Sequence, residues 1–142
     1  MPLLKRRREI PLRVGDIMST PPITVNEKTP VEEVARVMND NNISSVMVVN
    51  DAGELVGIFT DRDLRFAVAE GKVGKGLPVH MLMTENPITV TPSTSVIEAM
   101  RKMREVNVKH LPVVEDKRPV GMITSRDIVD AAWLLFEVLA PS

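Results

Sequence analysis

Apolar residues recur along the first half of the chain in two rhythms. Val31, Val34, Ala35 and Met38 fall at i, i+3, i+4 and i+7, the stripe of an amphipathic helix. Thr29-Pro30-Val31-Glu32 opens that stretch and reads as a capping box with proline at the first helical position. Val46 to Val49 and Leu55 to Phe59 are short apolar runs. The turn residues Asn50-Asp51-Ala52-Gly53 between them predict a hairpin. An extended piece, Ile23 to Val25, stands in front behind a proline, and a second helix is expected from near Asp61. The predicted unit is β-α-β-β-α.

The same unit then returns. Pro22-Ile23-Thr24-Val25 recurs as Pro87-Ile88-Thr89-Val90, 65 positions later. At that offset Met18 aligns with Met83, Glu33 with Glu98, Arg36 with Arg101, and Val48-Val49 with Val113-Val114. One residue is lost in a turn, and the offset becomes 64. Gly57 then aligns with Gly121, Thr60 with Thr124, and Arg62-Asp63 with Arg126-Asp127. Ser95 is the expected cap of the second amphipathic helix, whose face is Val96, Ala99, Met100 and Met103. Strands are expected at Leu111 to Val114 and Val120 to Ile123, and a helix from near Ser125.

The expected fold class is α/β, of the α+β kind, with two β-α-β-β-α repeats packed about a pseudo-twofold axis. Residues 1–12 form a basic tail, 13–70 the first repeat, 71–76 a glycine-rich flexible linker, and 77–140 the second repeat with an apolar C-terminal helix. So small a unit buries too little apolar surface to stand comfortably alone. A pseudo-symmetric pair leaves matching clefts at its interface, where small-molecule sites tend to lie.

Composition narrows the function. The 142 residues are 44% hydrophobic and 26% charged with a net charge of −1. That suits a globular chain with no general attraction for nucleic acid or anionic membrane. There is no cysteine, which fits a reducing compartment. No apolar run approaches the ~18 residues of a membrane span, and the N-terminus lacks the apolar core of a signal peptide. A cytoplasmic location is expected. With three phenylalanines, one tryptophan and no tyrosine, no aromatic platform can stack a row of bases. No Ser-His-Asp, metal-ligand or phosphate-loop constellation is visible, so neither an enzyme nor a resident cofactor is expected.

Two repeats opening on Pro-Ile-Thr-Val and closing on Gly57-Ile58-Phe59-Thr60-Asp61-Arg62-Asp63 and Gly121-Met122-Ile123-Thr124-Ser125-Arg126-Asp127 resemble a CBS-domain pair, or Bateman module. The resemblance covers about Val14 to Ala132. It implies a regulatory module for AMP, ADP, ATP or a relative such as S-adenosylmethionine or NAD. In that family the motif aspartate takes ribose hydroxyls, and the threonine and nearby basic residues take phosphate. One implied site pairs Ile23, Thr24, Ser45 and Val46 with Thr124, Arg126 and Asp127. The other pairs Ile88, Thr89, His110 and Leu111 with Thr60, Arg62 and Asp63. A homodimer and an unidentified protein target, regulated in trans, are also implied.

Independent chemistry agrees. A carboxylate suits a ribose diol, and a helix N-terminus offers free N–H groups to phosphate. Arg62, Arg126, Lys109 and His110 could add charge-assisted contacts. The bland reading is that Thr-x-x-Asp before an apolar run is a helix cap; the threonines are expected to cap while Asp63 and Asp127 serve the ligand. The methionines Met18, Met38, Met83, Met100 and Met103 are expected as core filler, and His80 as solvated. The repeats also differ. Asp61 stands where the second has Ser125, and beside Thr60 it is expected to disfavour phosphate. The Asp127 site is therefore expected to take the more phosphorylated ligand.

The alternative function is a nucleic-acid or protein adaptor using the run Lys5-Arg6-Arg7-Arg8. The stretch Ala131 to Leu139 is apolar nearly all round, so it is expected to be buried, in the pair's own core or against another chain.

Overall fold

The structure, a computed structural model, describes residues 12–141. The basic run at Lys5 to Arg8 lies outside them. The elements are α1 (Val14–Ile17), β1 (Thr24–Asn26), α2 (Val31–Asp40), β2 (Ser45–Val49), β3 (Leu55–Thr60), α3 (Asp61–Ala69), a 3-10 turn (Val79–Met81), β4 (Thr84–Glu85), α4 (Val96–Val106), β5 (His110–Glu115), β6 (Arg118–Thr124) and α5 (Ser125–Leu139). The chain is the mixed α/β pair of β-α-β-β-α repeats that its periodicity predicts.

In the first repeat β1 runs parallel to β2, β2 antiparallel to β3, and β3 antiparallel to β4. In the second, β5 and β6 form the hairpin. Val90 bridges Val113 in parallel, repeating the β1–β2 contact at a single residue pair.

Each repeat is completed by the segment that leads into the other. β4 immediately precedes the second repeat's Pro-Ile-Thr-Val yet pairs with Gly57 and Ile58 on β3. Ser19 precedes the first repeat's copy yet bridges Met122 on β6, through N–H···O contacts of 2.8 and 3.2 Å. The cores follow the same exchange. Val14 is fully buried among Val90, Ala99, Leu111, Val113 and Ile123 of the second repeat. Val79 is fully buried among Val31, Val34, Val46, Val48 and Phe59 of the first. Each such valine contributes roughly 1.5–3 kcal/mol by leaving water. The leading segments also satisfy helix starts, with Val96 N–H donating to the Leu12 carbonyl (3.0 Å) and Val31 N–H to that of Leu77 (2.9 Å).

The crossing explains both motif glycines. A Cβ on Gly57 would collide with the Met83 thioether and come within 2.9 Å of the Thr84 carbonyl. One on Gly121 would lie 2.7 Å from Met18 Sδ and 3.0 Å from the Ser19 carbonyl. Only a residue without a side chain lets the two backbones approach this closely. Met47 and Ile58 of the first sheet meet Met122 of the second hairpin in a third small apolar cluster, which joins the repeats.

Three expectations need correction (a helix cap, a free linker and a core methionine), and for the apolar helix one of its two expected burial sites is excluded. The Thr29 capping box is absent: the N-cap is Pro30, with no side-chain cap. The Glu32 carboxylate instead accepts the N–H groups of Gly74 (3.1 Å) and Gly76 (2.8 Å). The glycine-rich linker is thereby pinned across the start of α2 rather than hanging free. Among the methionines, Met38 and Met103 are core, but Met100 is 47% exposed. α5 buries none of its residues fully, and Trp133, Phe136 and Val138 are 67%, 68% and 80% exposed. The pair's own core therefore does not take the apolar helix. Among the described residues no helix is long and apolar enough to cross a membrane.

Candidate functional site: a cleft between the repeats

Two β-to-helix junctions build the site. β3 delivers Thr60 to the start of α3, and β6 delivers Thr124 to the start of α5. Thr60 Oγ1 accepts from Asp63 N–H at 3.3 Å, and Asp63 Oδ2 accepts from Thr60 N–H at 2.9 Å. The matching distances for Thr124 and Asp127 are 3.1 and 2.8 Å. Both motifs are thus full capping boxes, and the aspartates share the capping work expected of the threonines. The second oxygen of each carboxylate receives a hydroxyl from the exchanged segment. Ser19 Oγ donates to Asp127 Oδ1 at 3.3 Å, and Thr84 Oγ1 to Asp63 Oδ1 at 3.2 Å. A carboxylate has about four lone-pair sites, so each retains accepting capacity.

A cleft of about 690 Å³ opens in front of Asp127. Its apolar wall includes Pro22, Ile23, Met38, Met47 and Met122, and its polar side carries Ser44, Ser45, Thr124, Arg126 and Asp127. Lys109, His110 and Asp61 complete the polar rim. Of the first expected set, the cleft gathers Ile23, Ser45, Thr124, Arg126 and Asp127. Thr24 and Val46 are not in it: Thr24 is exposed, and Val46 is fully buried in the first core. For Val46 strand alternation is the reason, because Ser45 and Met47 face the cleft while Val46 and Val48 face the core; Thr24 pairs with Met47 on β2 but stays exposed outside the cleft.

The second expected set does not assemble in the same way. Thr60 and Asp63 meet in their cap, Arg62 and Ile88 are exposed, Thr89 is half-buried, and Leu111 sits in the second core. His110 turns into the first cleft, where its Nε2 lies 2.8 Å from Ser44 Oγ. A second groove of about 630 Å³ lies between α4 and α5 and contains none of that set. Its Met100, Met103, Asn107, Val108, Ser125 and Ile128 are the repeat counterparts of Ala35, Met38, Asn42, Ile43, Asp61 and Leu64, all of which line the first cleft. The groove copies the helical wall of the cleft without its aspartate side.

Electrostatics bring a further correction. Asp61, expected to burden the Thr60 site, lines the Asp127 cleft instead. Its N–H donates to the Ser44 carbonyl at 2.9 Å, which ties the start of α3 to the strand entering the cleft. The ground for expecting that cleft to take the more phosphorylated ligand is thereby removed. Burial holds the His110 imidazole below the usual histidine range; Lys109 pushes the same way, while Asp61 and Asp127 oppose. Unanticipated cleft residues are Ser19, Asn39, Asn42 and Ser44. A signal for Ser19 existed: it and Thr84 are hydroxyl residues at the repeat offset, just ahead of each Pro-Ile-Thr-Val. Among the described residues no cluster of His, Cys, Asp or Glu could hold a metal ion.

Fold and cleft define a pseudo-symmetric tandem-repeat module with a ligand-sized cavity between its repeats. The CBS domain profile matches residues 14–70 and 79–134, and the chain belongs to the CBS-domain family as a tandem pair. It is 37% identical over 140 residues to a CBS domain-containing protein of Dictyostelium discoideum, covering 90% of this chain and 94% of that one. It is also 37% identical over 116 residues to the L-aspartate semialdehyde sulfurtransferase of Methanocaldococcus jannaschii, covering 81% of this chain but only 22% of the enzyme. The chain thus corresponds to the CBS part of that longer protein. Among solved structures, the CBS domain pair of protein MJ0100, in complex with 5′-methylthioadenosine and S-adenosyl-L-methionine, superposes with TM-score 0.83 at 34% identity, covering 89% of this chain and 99% of that one. A CBS domain protein from Pyrobaculum aerophilum complexed with AMP superposes with TM-score 0.80 at 26% identity, covering 92% and 100%.

Proposed function

We propose that the chain is a non-enzymatic regulatory module that binds an adenosine-containing ligand in the cleft before Asp127. One observation carries this reading: the cleft joins a motif carboxylate with spare accepting capacity, the cations Arg126 and Lys109, and an apolar wall at Pro22 and Ile23. Ribose hydroxyls would donate to Asp127, joining or displacing the long Ser19 contact. A phosphate would lie toward the start of α5 with Arg126 and Lys109. The adenine would rest on the apolar wall. The structural likeness to pairs complexed with AMP and with S-adenosyl-L-methionine supports the ligand class.

In this reading the module works as a cytoplasmic energy or metabolite sensor, in trans on a protein target. Two copies associate through the exposed face of α5 at Val129, Trp133 and Phe136, since an apolar patch of that kind marks an interaction surface. The ligand test is a thermal-shift series with AMP, ADP, ATP, S-adenosylmethionine and NAD. At least one should raise Tm in a saturable way, because a ligand at about a hundred times its Kd adds about 2.7 kcal/mol. No shift with any of the five would refute the nucleotide reading.

A further inference from the structure

His110 stands at the entry to β5, in register with Thr124 on β6. Its ring is half-buried with Nε2 on Ser44 Oγ. Charged groups reach it from each element that packs around it. Asp61 comes from the start of α3, Lys109 is its chain neighbour, and Asp127 comes from the start of α5, where Arg126 also lines the cleft. Two carboxylates and two cations therefore share the cleft with an imidazole whose charged form burial disfavours. A phosphate arriving there upsets this balance. It brings negative charge beside a half-buried ring, which favours the imidazolium, and a charged ring N–H makes a stronger bond to phosphate than a neutral one.

We infer that His110 is a proton-coupled specificity residue: a phosphorylated adenosine ligand charges it on binding, and an unphosphorylated one leaves it neutral. This rests on the nucleotide reading and adds to it a pH response confined to phosphorylated ligands. The alternative is a purely structural imidazole that fills space against Ser44. The sign follows from linkage. The free protein's His110 titrates low, and the phosphate complex's titrates higher. Between those two points the complex holds more protons, so affinity for the phosphorylated ligand rises as pH falls. The ligand's own phosphate, with a second pKa near ~6, works in the opposite direction. A His110→Gln comparison separates the two.

The test measures AMP and 5′-methylthioadenosine affinity by calorimetry from about pH 8 to about pH 6.5, near the histidine range, on the wild type and His110→Gln. AMP affinity should rise a few-fold, up to about tenfold, in the wild type and stay flat or fall in the variant. 5′-Methylthioadenosine affinity should not change with pH in either. The chain has two histidines, so ring-proton NMR of the wild type follows the titration directly. His80→Gln, at an exposed position, assigns the signals without touching the cleft. The His110 midpoint should move to higher pH with AMP and stay put with 5′-methylthioadenosine. Saturating AMP that leaves the midpoint unmoved, or an equal move with both ligands, overturns the inference alone. AMP that binds at no pH overturns the inference, and the nucleotide reading falls as well only when none of the five thermal-shift ligands binds.

Discussion

Ser19 reaches Asp127 and Thr84 reaches Asp63, so the closing helix of each repeat is capped and strapped in the same way. The residues facing those junctions differ. Across from Asp127 stand the small Ala35, Ser44 and Ser45; their counterparts in the second repeat are Met100, Lys109 and His110. The larger side chains occupy the groove beside α4 or turn into the neighbouring cleft. The helices differ too. α3 ends at Ala69 after 9 residues, whereas α5 runs 15 residues to Leu139 and carries Trp133 and Phe136 outward. A duplicated scaffold has thus kept its backbone hydrogen bonds and glycines, while cavity and outer surface have diverged by side-chain size.

Three paired experiments probe that asymmetry. The largest effect is expected on association. Trp133→Asp with Phe136→Asp should weaken a dimer by about 3 kcal/mol, on the order of a hundredfold in its Kd. Phe66→Asp on α3 should leave the mass seen by sedimentation velocity unchanged. A dimer that survives the α5 double variant would place the contact elsewhere. Next come the motif aspartates. Asp63→Ala and Asp127→Ala lose the same cap, about 1 kcal/mol of stability each. Only Asp127→Ala should also lose AMP affinity, by about 2 kcal/mol or roughly 30-fold in calorimetry. Equal losses of affinity would mean that both junctions bind ligand. The smallest effect is expected from the strapping hydroxyls. Ser19→Ala and Thr84→Ala should each cost about 0.5–1 kcal/mol in urea unfolding, with a change in AMP affinity for Ser19→Ala alone. Identical binding by the two variants would remove Ser19 from the site.

The repeat made the scaffold legible. Apolar periodicity located α2, α4 and both hairpins, and the two motif copies located the caps. What pairs with what across the molecule was far less visible. Nothing local in Met83-Thr84-Glu85 says that it adds a strand to β3, because its partner lies some 26 residues back and its own repeat lies ahead. The cleft was legible to the extent that its residues lie on motif positions. Ile23, Ser45, Thr124, Arg126 and Asp127 are there, whereas Val46 falls on the core side of its strand and Thr24 stays exposed outside the cleft. Asp61 misled because chain proximity to Thr60 suggested a shared site. The first residue of α3 in fact points across the pseudo-twofold to its neighbour's cleft. Glu32 likewise left its expected cap to hold linker amides 42 and 44 positions away.

The exchanged leading segments also fix an order in which the molecule can be completed as it is synthesised. Synthesis proceeds from the N-terminus and domains generally fold as they emerge. The first repeat, although made first, lacks its buried Val79 and its edge strand β4 until the chain has grown through the linker. The segment at Val14 to Ser19, made earlier still, has nothing to cover until Ala99, Leu111 and Met122 exist. A nascent chain therefore carries two unfinished apolar surfaces at once, and the older one waits longer. The second repeat, though made after the first, finds its missing piece already waiting.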